Sequence, residues 1–453
     1  MEPGPFLTLM KRGSSKMRSN TAKHFKAGMF LLENLTSGMY NEPLVIFREY
    51  VQNAVDSIDI SKNKGRNSLT KVSIELDPAE RKIVIRDNGM GIPSRSAEQI
   101  LSSIGSSDKT GQNLRGFRGI GRLGGIAFSD KAVFRTKADG ESVESWQEWD
   151  CEKLRRVLTD PSSTNLSLEK LFASITTFYQ DKSKHRGGFF EVALLGVNSF
   201  RNYLFDLERV RNYLSQVAPV PFDQDNFSFS CEINSFLQER IPNYGQYNIM
   251  LNGMPVYKPY RDDLKITKEG KDDRVKGIKT FQITLDGNEV AAFGWYGERE
   301  NLIGSIRKGE VCSGIRVRVG NILLGDSHLL DKCFREERFN SYIIGEIHVV
   351  SPKLIPNSRR DDFVDNESKT YFYNAVEQEI GLPISKEIRL RSRLKSLQLP
   401  AETNSPLHTS QRDLFPKNSD NSEVADKSII LMMRKLCGRC PRFREISSSL
   451  SKT

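Results

Sequence analysis

Glu49, Asn53 and Asp56 stand four and three residues apart within Asn41–Asp59, NEPLVIFREYVQNAVDSID. That spacing puts two carboxylates and an amide on one face of a helix. The flanking Val45, Ile46 and Ala54 are apolar where a solvated face would carry Lys–Glu pairs, which suits a polar strip inside a pocket. An ordinary exposed face fits this helix alone equally well. A second group is Asp87-x-Gly89-x-Gly91, a carboxylate at the end of the apolar run Lys82–Arg86. Its glycines let a backbone approach a ligand with no Cβ in the way, although Asp-Asn-Gly is also ordinary turn chemistry. A third is Gly116-x2-Gly119-x-Gly121, which runs into an apolar segment. Bare N–H groups at a helix start face anions well; close packing is the other use of such glycines.

The elements that must carry these groups are legible nearby. Asn41 is an N-cap candidate, Pro43 suits a first turn, and Leu44, Phe47, Val51, Val55 and Ile58 form one apolar stripe. His24–Thr36 reads as a short helix before it, and 61–70 as a linker. Val72, Ile74 and Leu76 pair with Ile83, Val84 and Ile85 across a turn at Pro78, a hairpin that delivers Asp87 to a strand end. Ser94–Gln112 is polar, anchored by Ile100, Leu101 and Ile104, and is placed as a mobile lid. Strands AVFRT, SWQEW and GFFEVALLGV follow, with helical stretches around Leu154 and Leu168 and a helix over Phe200–Val217. Beyond a boundary near Asp223 come hairpins at Asn252-Gly253 and Asp286-Gly287 and strands GIRVRV and YIIGEIHVV. A helix over Glu367–Ile380 is expected to stop at Gly381 and Pro383, before a basic helix over Ile384–Leu399.

With 38% hydrophobic and 27% charged residues, the 453-residue chain is typical of soluble globular protein and is read as cytoplasmic, with no membrane partner. The net charge of +10 sits in the tails. Residues 1–26 carry six Lys/Arg against one acid and residues 386–453 fourteen against seven, while residues 27–385 hold 47 basic and 49 acidic side chains. Such tails are ordinarily solvated; nucleic-acid binding through them is the sharper alternative. Cys437-x2-Cys440 has the knuckle spacing of half a zinc site, with no second Cys/His pair near it.

The ordered triple Glu-x3-Asn-x2-Asp, Asp-x-Gly-x-Gly and Gly-x2-Gly-x-Gly resembles the GHKL ATPase superfamily, and above all its ninety-kilodalton heat-shock-chaperone branch. The resemblance covers residues ~25–385. It implies an α+β architecture: a GHKL (Bergerat) α/β sandwich with a mixed sheet covered by helices, then a ribosomal-protein-like α+β domain. The corresponding divisions are 1–22 as a disordered basic arm, 23–223 as the ATP-binding domain, 224–385 as the middle domain, and 386–453 as basic helix, linker and tail.

The resemblance also implies roles. Asp87 accepts the adenine amine, and Gly89, Met90 and Gly91 line the base and sugar. Lys109, Gly116, Phe117, Gly119, Ile120 and Gly121 surround the phosphates. Asn53 is the Mg2+ ligand and Asp56 its orienter, Glu49 is the general base, and Arg360 or Arg359, from IPNSRRDDF, stabilises the γ-phosphate. A late-strand Thr usual in the superfamily is missing from Gly187–Val192; Thr176 or Thr177 substitutes for it, or nothing does. The implied function is a Mg2+-dependent, ATP-hydrolysing, chaperone-like switch. Its lid closes and two copies pair when ATP binds, around an unknown protein client. A MutL- or MORC-like nucleic-acid clamp and a non-hydrolysing scaffold are the alternatives. Histidine-kinase chemistry is disfavoured because none of the five histidines lies in a phosphoacceptor context.

Overall fold

Alternating apolar residues make Lys71–Asp77 (β1) and Lys82–Asp87 (β2) strands, with Val72, Ile74, Leu76, Ile83 and Ile85 turned into the core. The computed structural model describes residues 42–63, 65, 70–103, 121–160, 167–267 and 272–398. The elements up to Leu397 fall in one compact unit.

The first sheet adds β3 (Lys131–Lys137), β4 (Val143–Asp150), β5 (Thr176–Lys182), β6 (Phe189–Leu195), β7 (Asn248–Leu251) and β8 (Met254–Pro255), in the order β5-β4-β3-β6-β2-β1-β7-β8. Only β1 and β7 pair in parallel; every other neighbour is antiparallel. The helix Val45–Asn63 (α1) lies on this sheet and buries Phe47, Val51, Val55 and Ile58 completely. Each is worth roughly 1.5–3 kcal/mol gross, so packing rather than intrinsic propensity holds α1. Around it stand Ser94–Ser102 (α2), Cys151–Thr159 (α3), Leu168–Ile175 (α4), Leu207–Val217 (α5) and the 3-10 segment Gly121–Phe128.

The second sheet is mixed, in the order β13-β12-β14-β11-β10-β9. Its strands are β9 (Asp263–Lys265), β10 (Asp272–Thr284), β11 (Val290–Arg299), β12 (Gly314–Val319), β13 (Ile322–Leu324) and β14 (Ile344–Val349). It is accompanied by Ser230–Arg240 (α6), Glu367–Val376 (α7) and Leu382–Gln398 (α8). A mixed α+β architecture of this kind is what the resemblance implied.

Several local expectations change. α1 begins at Val45, after turns at Glu42–Leu44, and runs four residues past Asp59; Asn41 lies outside the described residues. Ser94–Ser102 is helical, and Ala97 and Leu101, one turn apart, anchor it while Ile100 is exposed. The helix expected over Phe200–Val217 breaks at Phe205–Asp206, because the Asp206 carboxylate accepts from Arg209 N–H at 3.0 Å and caps a new helix. Gly381 and Pro383 do not stop the C-terminal helix. A π-turn over Glu377–Gly381 carries it onward, and Pro383 sits in the first turn of α8, where no N–H is needed. A Cβ on Gly381 would strike the Cys333 carbonyl, so this glycine serves close approach.

A buried ionic cluster ties the second sheet to the segment that follows β8. Glu346 on β14 is fully buried and receives Lys258 Nζ at 2.8 Å, Arg318 Nε at 2.5 Å, Tyr260 O–H at 3.2 Å and His348 Nε2–H at 3.1 Å. Burial alone would raise Glu346; Arg318 and Lys258 outweigh it and hold its carboxyl well below the usual range. Burial pushes His348 down to about 4, so it is neutral near pH 7. One carboxylate cannot satisfy two cations equally, and Arg316 is close as well. Burial, with Arg318 next in effect, pushes Lys258 down to about 7. A lysine in the unfolded chain keeps its proton to about pH 10.4. Between those values the unfolded chain binds more protons, so stability rises as pH climbs above about 7. The urea midpoint should therefore increase from about pH 6.5 to about pH 8.5, and Lys258→Met should flatten that rise; an unchanged slope in the variant would assign it elsewhere.

Candidate functional site

The α1 stripe leaves Glu49, Asn53 and Asp56 in three environments. Glu49 has a side chain 14% exposed, Asn53 is half-buried, and Asp56 is fully buried. Asp87, 3% exposed, closes β2 and faces the same helix through the turn that follows it. Gly89 N–H donates to Asp87 Oδ1 at 2.8 Å, and Met90 N–H donates to Ser57 Oγ at 3.1 Å, beside Asp56. A Cβ on Gly89 would meet the Ser57 carbonyl carbon at 2.7 Å. Gly91 has φ +63°, and a Cβ there would run into the Lys137 carbonyl, so both a left-handed backbone and a close approach require glycine. The structure thus brings Asp56, Asp87, Gly89, Met90 and Gly91 to one seam between α1 and the sheet.

The hydroxyl at this seam is one that sequence reasoning missed. Thr136 on β3 is fully buried, accepts from Ile92 N–H at 2.9 Å and donates to the Phe189 carbonyl at 2.9 Å. Thr176 and Thr177 lie on β5, four strands from β2, and Thr176 Oγ1 donates back to the Phe172 carbonyl. Neither reaches the seam. Lys109, Gly116, Phe117, Gly119 and Ile120 lie outside the described residues. Gly121 opens the 3-10 segment, which is tied to α1 where Gly125 N–H donates to Tyr50 Oη at 3.0 Å.

At the other end of α1, Arg48 Nε and Nη2 hold Glu49 Oε1 at 3.3 and 3.2 Å, and the same Nη2 donates to the Arg359 carbonyl at 3.1 Å. The loop expected to supply an arginine is therefore in contact with the helix that carries Glu49. Of its two arginines, Arg359 has an exposed side chain, whereas Arg360 is 7% exposed with φ +57°. Gly325 N–H fixes the Arg360 carbonyl at 2.8 Å, and Asn357 N–H bonds to the Asp362 carbonyl at 2.8 Å across the loop. Asp362 receives Lys369 Nζ and the Tyr373 hydroxyl, which overcome its burial and hold its carboxyl below the usual range. No sequence signal marks Arg48, since Arg beside Glu on a helix is generic and its second partner is 311 residues away.

Residues 45–178 match the family described as "Histidine kinase-, DNA gyrase B-, and HSP90-like ATPase". The match bears out the resemblance of this segment to the GHKL ATPase superfamily and covers less than a third of the chain. Among curated proteins the chain is similar to "Chaperone protein HtpG" of Photorhabdus laumondii, 27% identical over 140 residues, covering 26% of this chain and 22% of that protein. It is likewise 27% identical over 147 residues to the HtpG of Halalkalibacterium halodurans, covering 28% and 23%, and 26% identical over 139 residues to that of Acinetobacter baylyi, covering 26% and 22%. The aligned part spans about a fifth of the length of these relatives.

Among the described residues no three His, Cys, Asp or Glu side chains converge as a metal cage. A cation held beside one amide, Asn53, would take its remaining ligands from phosphate and water. A cleft of about 440 Å³ between the start of α1 and α5 is lined by Glu42, Asp206, Glu208 and Tyr213. It includes none of Asn53, Asp56 and Asp87. Among the described residues no helix is long and apolar enough to cross a membrane.

Proposed function

We propose that the chain is an ATP-binding, ATP-hydrolysing conformational switch of chaperone-like kind that works with Mg2+. Asp87 accepts the exocyclic amine of adenine, which guanine lacks at that edge, while Gly89, Met90 and Gly91 form the wall against base and sugar. Asn53 offers its amide oxygen to the cation and Asp56 orients it; Mg2+ supplies charge neutralisation on the phosphates. Lys109 and the glycines Gly116, Gly119 and Gly121, with Phe117 and Ile120, surround the phosphates. Glu49 polarises the attacking water as general base. An arginine of the 355–363 loop opposes the developing charge.

The observation that carries this reading is the Arg48 bridge, which ties Glu49 to the carbonyl of Arg359. The GHKL match and the chaperone names of the relatives support it. In this reading ATP closes a lid and pairs two copies around a protein client, in the cytoplasm. The clamp alternative draws less support, because two arginines of the basic α8 are already paired, Arg389 with Glu336 and Arg391 with Glu387.

Mg2+-dependent phosphate release from ATP tests the reading directly. Arg360→Ala should slow turnover at least about tenfold while nucleotide affinity stays within about twofold. Arg360→Gly separates side chain from backbone, since glycine accepts φ +57° without strain. Turnover lost in both variants assigns the role to the guanidinium. Normal turnover in both, with loss in Arg359→Ala, transfers it to Arg359.

A further inference from the structure

The arginine loop is held from two sides, and both supports lead back to the Glu346 cluster. Arg318, which binds Glu346, also donates to the carbonyls at the end of α5: Gln216 at 2.7 Å and Ala218 at 3.4 Å. A buried guanidinium thus sits on the negative end of a helix that shares its core with α1. From Glu346, β14 runs directly into the loop. Val350 and Ser351 N–H both bond to the Ala291 carbonyl at its start. Arg318 lies on β12, whose hairpin partner β13 ends at Leu324, and the next residue, Gly325, fixes the Arg360 carbonyl. The loop then returns to α1 through Arg359 and Arg48. α1, α5, Arg318, Glu346, β14, the loop and Arg48 form a closed circuit.

We propose that Glu346 and Arg318 are positioning residues, which keep the 351–363 loop in register with Glu49 by clamping β14 and the β12–β13 hairpin to the end of α5. The proposal rests on the functional reading above only for its effect on turnover; the clamp itself is a statement about the loop. Arg318 is suited to the task because its Nε, Nη1 and Nη2 reach the carboxylate and the two α5 carbonyls from three separate nitrogens of one rigid plane, a span that the single nitrogen of an ammonium lacks. Lys258, Arg318 and Glu346 side chains are all 0% exposed, so their charges serve the junction itself.

The test uses the full chain with Arg318→Met and Glu346→Leu combined; because this also takes the carboxylate from buried Lys258, folding of the variant is checked first by circular dichroism. Hydrogen exchange at Asn357, Arg360 and Val364, whose amides close the loop, should quicken at least about tenfold, while β1 and β2 amides keep their protection. Turnover should fall at least about tenfold with KM for ATP within about twofold. Wild-type loop exchange and turnover in a folded double variant would overturn the proposal. Faster loop exchange with no ATP hydrolysis even in the wild type would uphold the clamp and refute the functional reading. If the double variant does not fold, Arg318→Lys gives the same readouts. It keeps a cation against Glu346 but cannot also span the α5 carbonyls, and unchanged loop exchange there would equally overturn the clamp.

Discussion

Glu49→Ala should bind ATP about as well as the wild type and lose phosphate release by a factor of about 10² to 10⁴, the range that a positioned general base contributes. The variant also takes the carboxylate from Arg48, a 7%-exposed arginine that would keep only the Arg359 carbonyl of its two partners. A buried donor set short of a partner costs about 1–3 kcal/mol, so a lower melting temperature in Glu49→Ala is expected and would confuse the result by itself. Glu49→Gln removes the basicity but leaves an oxygen for Arg48. It should melt near the wild type and be as inactive as the alanine variant. If Glu49→Gln turned over normally, Glu49 would be a structural partner of Arg48 and the general base would have to be another group.

Asp87→Asn is expected to weaken ATP binding, read by calorimetry, by at least about a hundredfold, about 2.8 kcal/mol at 1.4 kcal/mol per decade. The cause is specific. Asp87 Oδ1 already accepts from Gly89 N–H at 2.8 Å. An asparagine would keep its one oxygen for that bond, which preserves the turn, and would aim its NH2 at the adenine amine. Two donors then face each other where a donor and an acceptor met, and a site built for a hydrogen bond discriminates strongly against such a mismatch. Fold and melting temperature should change little. Retained affinity in a folded variant would remove Asp87 from base recognition and leave it as a turn residue.

How much was legible depended on sequence distance. The α1 stripe could be read because Leu44, Phe47, Val51, Val55 and Ile58 repeat within fifteen residues, and the β1–β2 hairpin because its partners are adjacent. Asp87 and Gly91 could be singled out because their conformational demands are local. α6 was missed, since within SCEINSFLQER only Ile233 and Leu237 mark a buried face. Thr136 was missed because its partners, Ile92 and Phe189, lie 44 and 53 residues away. Arg48 and the Glu346 cluster are less visible still: Lys258 and Glu346 are 88 residues apart, and each alone is an ordinary charged residue. Periodicity reports the face an element buries; it carries no record of which distant charge will meet it.

β7 and β8 come from beyond residue 223 yet complete the first sheet, with Lys71–Ile74 paired in parallel to Asn248–Leu251. Asn252 caps that edge from its side chain, bonding Leu76 N–H at 2.8 Å and the Leu76 carbonyl at 3.1 Å, and Tyr247 O–H reaches Asp59. A recombinant fragment trimmed at 223 would strip β1 of this neighbour and empty the places of Tyr247, Ile249 and Leu251. Its raw backbone edge would seek another strand, most readily that of a second fragment. Poor solubility of such a truncated piece would thus reflect a borrowed strand left behind rather than a failure of the remaining residues to fold, and a cut placed after Val256 would keep the loan intact.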